Sequence, residues 1–326
     1  VRSQPTKLAA AVAASLAVLA VPAAASAHGA GLPDVIHAWA DSLHPEGITY
    51  DPTRGAFLVS SERHGTVSIV EPSGAVTTLI DDPELVSTYG LRVDHRNGLL
   101  YVTDGDLGFG VDSSPETPTA GLAVYDLETG ERVRYTDLDA IVTDGAAHTA
   151  NDVAVAPDGT AYVTDPVAGL VFEVEPDGDA SVFIDDPALV TPGGFGANGI
   201  VERGGKLIIG NYSGGSLWTV DVDDPGTVEE IATEGDLTGL DGLAWDGRTL
   251  VAVTNSLSGK GTDAVHRFRL DYGWNEADET SVQLSPEQPT TLTTTGGCGV
   301  YTVFGDLAAL RTGEGTPRDD FFIRGF

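Results

Sequence analysis

The chain repeats itself. The segment HPEGITYDPTRGAFLVSSERHGTVSIVEPSGAVTTLIDD (44–82) aligns end to end with HTANDVAVAPDGTAYVTDPVAGLVFEVEPDGDASVFIDD (148–186). Each copy reads as four short runs of alternating or β-branched residues parted by turn signals: ITYD, AFLVSS, TVSIVE and VTTLI in one, VAVA, AYVTD, LVFEVE and ASVFI in the other. That grammar describes a four-stranded antiparallel meander. It recurs in 87–106 with 120–138, in 196–232, and in 239–256 with 263–272, so that five copies are visible. A meander of this size cannot bury both faces alone, so successive copies stack on one another. The expected fold is all-β: a six-bladed β-propeller with four-stranded antiparallel blades. The sixth blade is less regular, with two strands in 290–305 and a third in 321–326; the segment DVIHAWAD (34–41), ahead of the first full repeat, is free to supply the missing strand and close the ring. A pair of β-sandwiches or a parallel β-helix would be the alternatives, and the long unit with hairpin-like turns argues against the helix. Helix is expected to be almost absent from the mature chain.

Composition narrows what such a fold can meet. The 326 residues are 41% hydrophobic, enough for a buried core, and the 41 glycines suit many tight turns. Asp and Glu number 49 against 17 Lys and Arg, a net charge of −32 that repels phosphate backbones and anionic headgroups, so nucleic acid is not an expected partner. The lone Cys298 excludes an intrachain disulfide framework and any multi-cysteine metal site. At the start of the chain, Arg2 and Lys7 precede an apolar run (8–22), and Ala25-Ser26-Ala27 is a small-residue cleavage site. Residues 1–27 therefore read as a secretory signal peptide and 28–326 as the propeller. Loss of that segment removes two positive charges and leaves a net charge of −34 on a secreted protein, extracellular or periplasmic, without a membrane anchor and expected to be a monomer.

The chemistry gathers at one repeat position. The inner strands open EGITYD, YGLRVD, NDVAVA, NGIVER and DGLAWD, led by Glu46, Tyr89, Asn151, Asn198 and Asp241. In a propeller the innermost strands line the central channel, so equivalent starts form a ring at one mouth. Two carboxylates and two amide carbonyls converging there make a hard-ligand cage for a divalent cation; calcium, which takes six to eight oxygens, suits it better than magnesium or zinc. The competing explanation is that Asn and Asp open strands because they satisfy turn backbones locally, which Glu46 does not do.

The order Glu, Asn, Asn, Asp in the contexts HPEGITYDP (44–52), NDVAVAPDG (151–159), NGIVERGGKLIIGN (198–211) and DGLAWDG (241–247) resembles the SMP-30/gluconolactonase/LRE-like family, which includes regucalcin, gluconolactonases and, more distantly, paraoxonases. The resemblance covers about residues 40–256. It implies that Glu46, Asn151, Asn198 and Asp241 hold a catalytic calcium, or another divalent cation, and that Asp241 is also general base or nucleophile. Paraoxonase-like members carry an aspartate where Gly47 stands, which leaves Asp152 alone for a second, structural calcium.

His44 and His148, just ahead of Glu46 and Asn151, are further catalytic candidates as proton shuttles on the loops entering the ring. Asp104, Asp165, Asn211 and Asn255 end second strands and read as turn caps or an outer ring. The insertion 107–121, rich in Gly, Pro, Ser and Thr, reads as a loop that could act as a lid or specificity element. Two functions follow. One is a metal-dependent ester hydrolase, with a lactone or other small ester as substrate. The other is a non-catalytic secreted propeller that binds a ligand or partner, with the metal as an axial staple.

Overall fold

The computed structural model describes residues 1, 31–114, 119–143, 145–297, 299–313 and 318–326. The proposed signal segment, apart from Val1, and Cys298 lie outside the described residues, as do 115–118 of the insertion. The fold is that of Leu32–Phe326.

Alternation in 34–41 becomes β1 (Val35–Trp39), which buries Ile36 and Ala38 and exposes His37 and Trp39. The first repeat folds as β2 (Ile48–Asp51), β3 (Ala56–Val59), β4 (Val67–Val70) and β5 (Val76–Ile80), paired antiparallel in serial order. The same order joins β6 (Ser87–Asp94), β7 (Leu99–Gly105), β8 (Ala120–Asp126) and β9 (Arg132–Asp137). It then joins β10 (Val153–Val155), β11 (Ala161–Asp165), β12 (Leu170–Val174) and β13 (Ala180–Asp185).

Two further serial meanders follow: β14 (Ala197–Arg203), β15 (Lys206–Asn211), β16 (Ser216–Asp221) and β17 (Asp224–Thr233), then β18 (Leu240–Asp246), β19 (Thr249–Thr254), β20 (Ala264–Leu270) and β21 (Glu276–Leu284). Ala232 and Thr233 of β17 lie parallel to Glu276 and Ala277 of β21, which links the two into one eight-stranded sheet. The last sheet runs β22 (Leu292–Thr294), β23 (Val300–Phe304), β24 (Asp320–Gly325) and then β1, whose Val35 to Trp39 pair antiparallel with Arg324 to Asp320.

Helix among the described residues is confined to α1 (Leu307–Thr312), between β23 and β24, and two single-turn 3-10 segments at Asp139–Ile141 and Pro187–Leu189. In α1 the good helix formers LAALR end at Gly313, whose φ of 66° closes the last turn.

The core lies between sheets. One cluster packs Ile36, Phe321 and Ile323 of the last sheet on Phe57 and Val59 of the first repeat. Leu58 and Val67 then meet Leu100 and Tyr125. Further clusters join each meander to its successor, ending with Val251 and Val265 on Leu292 and Val300. At the centre β2 touches β6, β6 touches β10, β10 touches β14, β14 touches β18, β18 touches β22, and β22 returns to β2. Burial declines outward: β3 is wholly buried, whereas β5 and β21 are largely open to solvent.

The residues that open the inner strands sit where pairing breaks. Register slips between Thr88 and Leu91, Ala197 and Ile200, and Leu240 and Leu243. Bulges of this kind re-aim a side chain away from the sheet face. The following glycine permits close approach of the next meander: a Cβ on Gly47 would stand 1.9 Å from the Tyr89 carbonyl oxygen, and one on Gly199 would stand 2.3 Å from that of Asp241. Gly47 is thus required by packing. Threonine hydroxyls stitch the neighbours together, with Thr103 donating to the Asn151 carbonyl, Thr164 to that of Asn198 and Thr290 to that of Glu46.

Candidate functional site

Glu46, Asn151, Asn198 and Asp241, all buried, line one small cavity together with Gly90, Asp152 and Thr291. The cavity has room for a single water-sized guest. Thr291 completes the ring in the last sheet, since a Cβ on Gly242 would meet its hydroxyl at 2.6 Å. Tyr89 holds the second position with its ring fully buried and its hydroxyl 3.5 Å from Glu62 Oε1.

Three of the four candidate ligands have side-chain oxygens without protein partners. Among the described residues, hydrogen bonds engage the main chain of Glu46, Asn151 and Asn198 but no side-chain oxygen. Asp241 differs, because Asn255 Nδ2 donates to its Oδ2 at 2.6 Å while donating also to the Pro289 carbonyl at 2.9 Å. Asn255 Oδ1 in turn accepts from the Tyr212 hydroxyl and the Leu257 amide. The amide is a turn cap on one side and a clamp on the catalytic candidate on the other.

Burial pushes the Asp241 carboxyl up to about 7, against the opposing pull of Arg311 and the Asn255 hydrogen bond. Glu46 is raised well above the ordinary range, first by burial and then by the charge of Asp241. Two carboxyl groups thus share a desolvated hole, where holding both ionised is costly. A divalent cation removes that cost. An all-oxygen set with two charges, three unpartnered side chains and an ion-sized hole fits calcium; the residues present suit the group the family resemblance implies. Among the described residues no three His, Cys, Asp or Glu side chains gather as ligands, so an ion held here depends on the two amides as well.

Asp152 is committed elsewhere. Its Oδ1 accepts from the Val153 amide and its Oδ2 from the Ile200 amide, so it locks one inner strand to the next. The second-strand ends are likewise engaged, Asp165 and Asn211 in their own turns and Asp104 with the chain that enters β6. Asp165 Oδ1 accepts from the amides of Val167 and Ala168, Asp104 from those of Val86 and Ser87, and Asn211 from that of Gly214.

A second cavity shares the four ring residues and adds Leu107, Pro166, Phe195, Tyr212 and Arg311. It is small, about 20 Å³, and its lining mixes apolar side chains with the Arg311 side chain. Arg311, on α1, donates through Nε to both oxygens of the fully buried Glu62, at 3.0 and 3.2 Å. The sequence offered no signal for this pair, because α1 interrupts the least regular repeat and Glu62 sits in a turn. Leu107 shows that the insertion does reach the site, and Phe109 lies 5.9 Å from the Arg311 guanidinium.

His44 and His148 line neither cavity. His44 is buried with φ of 46°, and its Nδ1 lies 2.9 Å from the Gly305 carbonyl. A carbonyl only accepts, so the proton is on Nδ1, and Nε2 is left buried without a protein partner. His148 Nδ1 pairs with Asp165 Oδ2 at 2.7 Å.

No protein-family model matches the sequence, and no curated protein matches it. Solved structures match it by fold. The major allergen Mala s 1 of Malassezia sympodialis is 20% identical with a TM-score of 0.72, over 90% of this chain and 96% of the allergen. A candidate gluconolactonase is 20% identical with a TM-score of 0.58, over 90% and 94%. A candidate oxidoreductase of the glucose dehydrogenase type from Thermus thermophilus is 16% identical with a TM-score of 0.57, over 90% and 99%. The fold is that of a β-propeller, all-β and built from four-stranded antiparallel sheets, and gluconolactonase-like propellers are among its structural neighbours.

Proposed function

We propose that this chain is a secreted, calcium-dependent hydrolase of lactones or related esters, working in the channel of a six-bladed propeller whose last blade is completed by β1. The carrying observation is the coincidence of an ion-sized hole, lined by two carboxylates and two amides, with a partly apolar chamber that shares all four. Six interfaces between successive meanders, the last returning to the first, support the blade count among the described residues.

Glu46, Asn151, Asn198 and Asp241 would hold the cation, which supplies Lewis acidity toward an ester carbonyl oxygen when bound. Asp241 takes a proton from a water in the chamber. That water's oxygen adds to the carbonyl carbon, the bond from this carbon to the ester oxygen breaks, and the proton passes to the departing alkoxide. Asn255 fixes the orientation of the Asp241 carboxylate throughout. Leu107, Pro166 and Phe195 would contact the apolar body of the substrate. The histidines, being outside both cavities, would serve only through intervening groups.

The test is a panel of lactones and aryl esters assayed with and without chelator on the wild type and Asp241→Asn. Chelator-sensitive turnover that falls a hundredfold or more in the variant is expected. Undiminished turnover in the variant would move the chemistry away from Asp241. Calcium binding without any turnover would leave a ligand-binding propeller with a structural ion.

A further inference from the structure

Arg311 is unusual in its environment. In a chain with 17 basic against 49 acidic residues, this guanidinium lines the wall of the chamber that the four ring residues share. Glu62, wholly buried, holds it by Nε alone. Among the described residues its two Nη groups donate to no protein acceptor. A guanidinium anchored by Nε keeps its in-plane Nη1/Nη2 edge for another acceptor, and a carboxylate matches that edge with two parallel hydrogen bonds.

Charge points the same way. Without an ion the chamber sets the two carboxyl groups of Glu46 and Asp241 beside an Arg311 whose charge Glu62 already offsets, an environment that disfavours a further anion. With a divalent ion in place the ring carboxylates are balanced and Glu62 is balanced by Arg311, so the Nη edge becomes an unopposed local donor. Leu107, Pro166 and Phe195 line the same cavity and suit the hydrocarbon body that would link an anionic end to an ester.

We propose that Arg311 is the specificity-determining residue of this site and that the substrate class is an ester or lactone bearing a free carboxylate, held by the Arg311 Nη groups while the ester faces Asp241. The proposal rests on the hydrolase reading for its reaction but not for its binding.

The probes are two hydroxy acids and their lactones. In calcium, isothermal titration of the full chain with 2-hydroxyglutarate is compared with 4-hydroxybutyrate, which lacks the second carboxylate. Wild type is expected to bind the diacid about tenfold more tightly or better, with the preference lost in chelator. Arg311→Gln abolishes the preference; because it strands the buried Glu62, the double variant Glu62→Gln/Arg311→Gln is measured beside it. Arg311→Lys retains the charge without the fork and recovers only part. Equal affinities in the wild type, failure to bind either acid, or a preference that survives in the double variant would overturn the proposal.

Turnover of 5-oxotetrahydrofuran-2-carboxylate and γ-butyrolactone separates the two claims. Arg311-dependent binding without hydrolysis sinks the hydrolase and keeps this inference. Hydrolysis of both lactones at similar kcat/KM, with no effect of Arg311, does the reverse.

Discussion

Replacing Asp241 by Asn should stabilise the ion-free protein, although it alters the residue on which the site depends. The buried carboxyl is raised from 3.8 to about 7, so at pH 8 ionising it in the fold costs at most about 4 kcal/mol relative to the unfolded chain. Asn carries no such cost and can present its Oδ1 to Asn255 Nδ2, which preserves the 2.6 Å contact. At roughly 2 °C per kcal/mol for a domain of this size, Tm in chelator should rise by up to about 8 °C. Calcium reverses part of this. At a hundred times its Kd it adds about 2.7 kcal/mol to the wild type; if the lost charge weakens the ion about a hundredfold, the variant gains only about 0.4 kcal/mol. The variant's advantage should therefore shrink by about 2 kcal/mol. Thermal melts of both proteins at pH 8, in chelator and in calcium, measure all four numbers. A variant that is less stable than wild type in chelator, or an equal calcium shift in both, would refute the reasoning.

Other consequences are independent of that cycle. Between about 3.8 and 7 the native ion-free protein holds a proton on Asp241 that the unfolded chain has lost, so its stability should rise as pH falls through that window, and calcium should suppress the slope in urea melts. Asp51 works in the other direction: burial alone would raise it, but hydrogen bonds from Thr53 and Arg54 outweigh burial and hold it below 3.8. Its contribution is present above 3.8 and lost as pH falls through the depressed value, so Asp51→Ala should cost stability at pH 7 and little near pH 2. Gly47→Ala puts a methyl 1.9 Å from the Tyr89 carbonyl oxygen and should cost about 3 kcal/mol in urea, with weaker calcium binding. Deleting residues 1–40 uncovers β24 and strips Ile36 and Ala38 from the core; loss of cooperative melting and aggregation are expected, and an unchanged Tm would contradict closure by β1.

The strands were legible because repetition doubles a weak signal. One copy of AFLVSS or AYVTD is a short apolar run, but two in the same frame fix both the period and the turns. The same register brought Glu46, Asn151, Asn198 and Asp241 to one cavity, since equivalent positions in a closed ring face one axis. What repetition does not encode stayed hidden. Arg311 lies on a helix inserted between β23 and β24, where no other copy offers a counterpart among the described residues, and Glu62 becomes informative only once Arg311 lies against it. Asn255 was readable as a turn residue from its place after β19, yet its amide also clamps Asp241, a long-range bond that local sequence cannot express. The histidines are a different case. Proximity in sequence to Glu46 and Asn151 suggested a place at the mouth, but His44 turns toward Gly305 and His148 toward Asp165.

The central claim is an ion in the channel, and anomalous diffraction from crystals grown in calcium chloride tests it most directly. The account predicts one strong calcium peak within about 2.3–2.6 Å of side-chain oxygens of Glu46, Asn151, Asn198 and Asp241, absent from crystals of Glu46→Gln/Asp241→Asn. An empty channel at millimolar calcium, or a peak held by other residues alone, would contradict it.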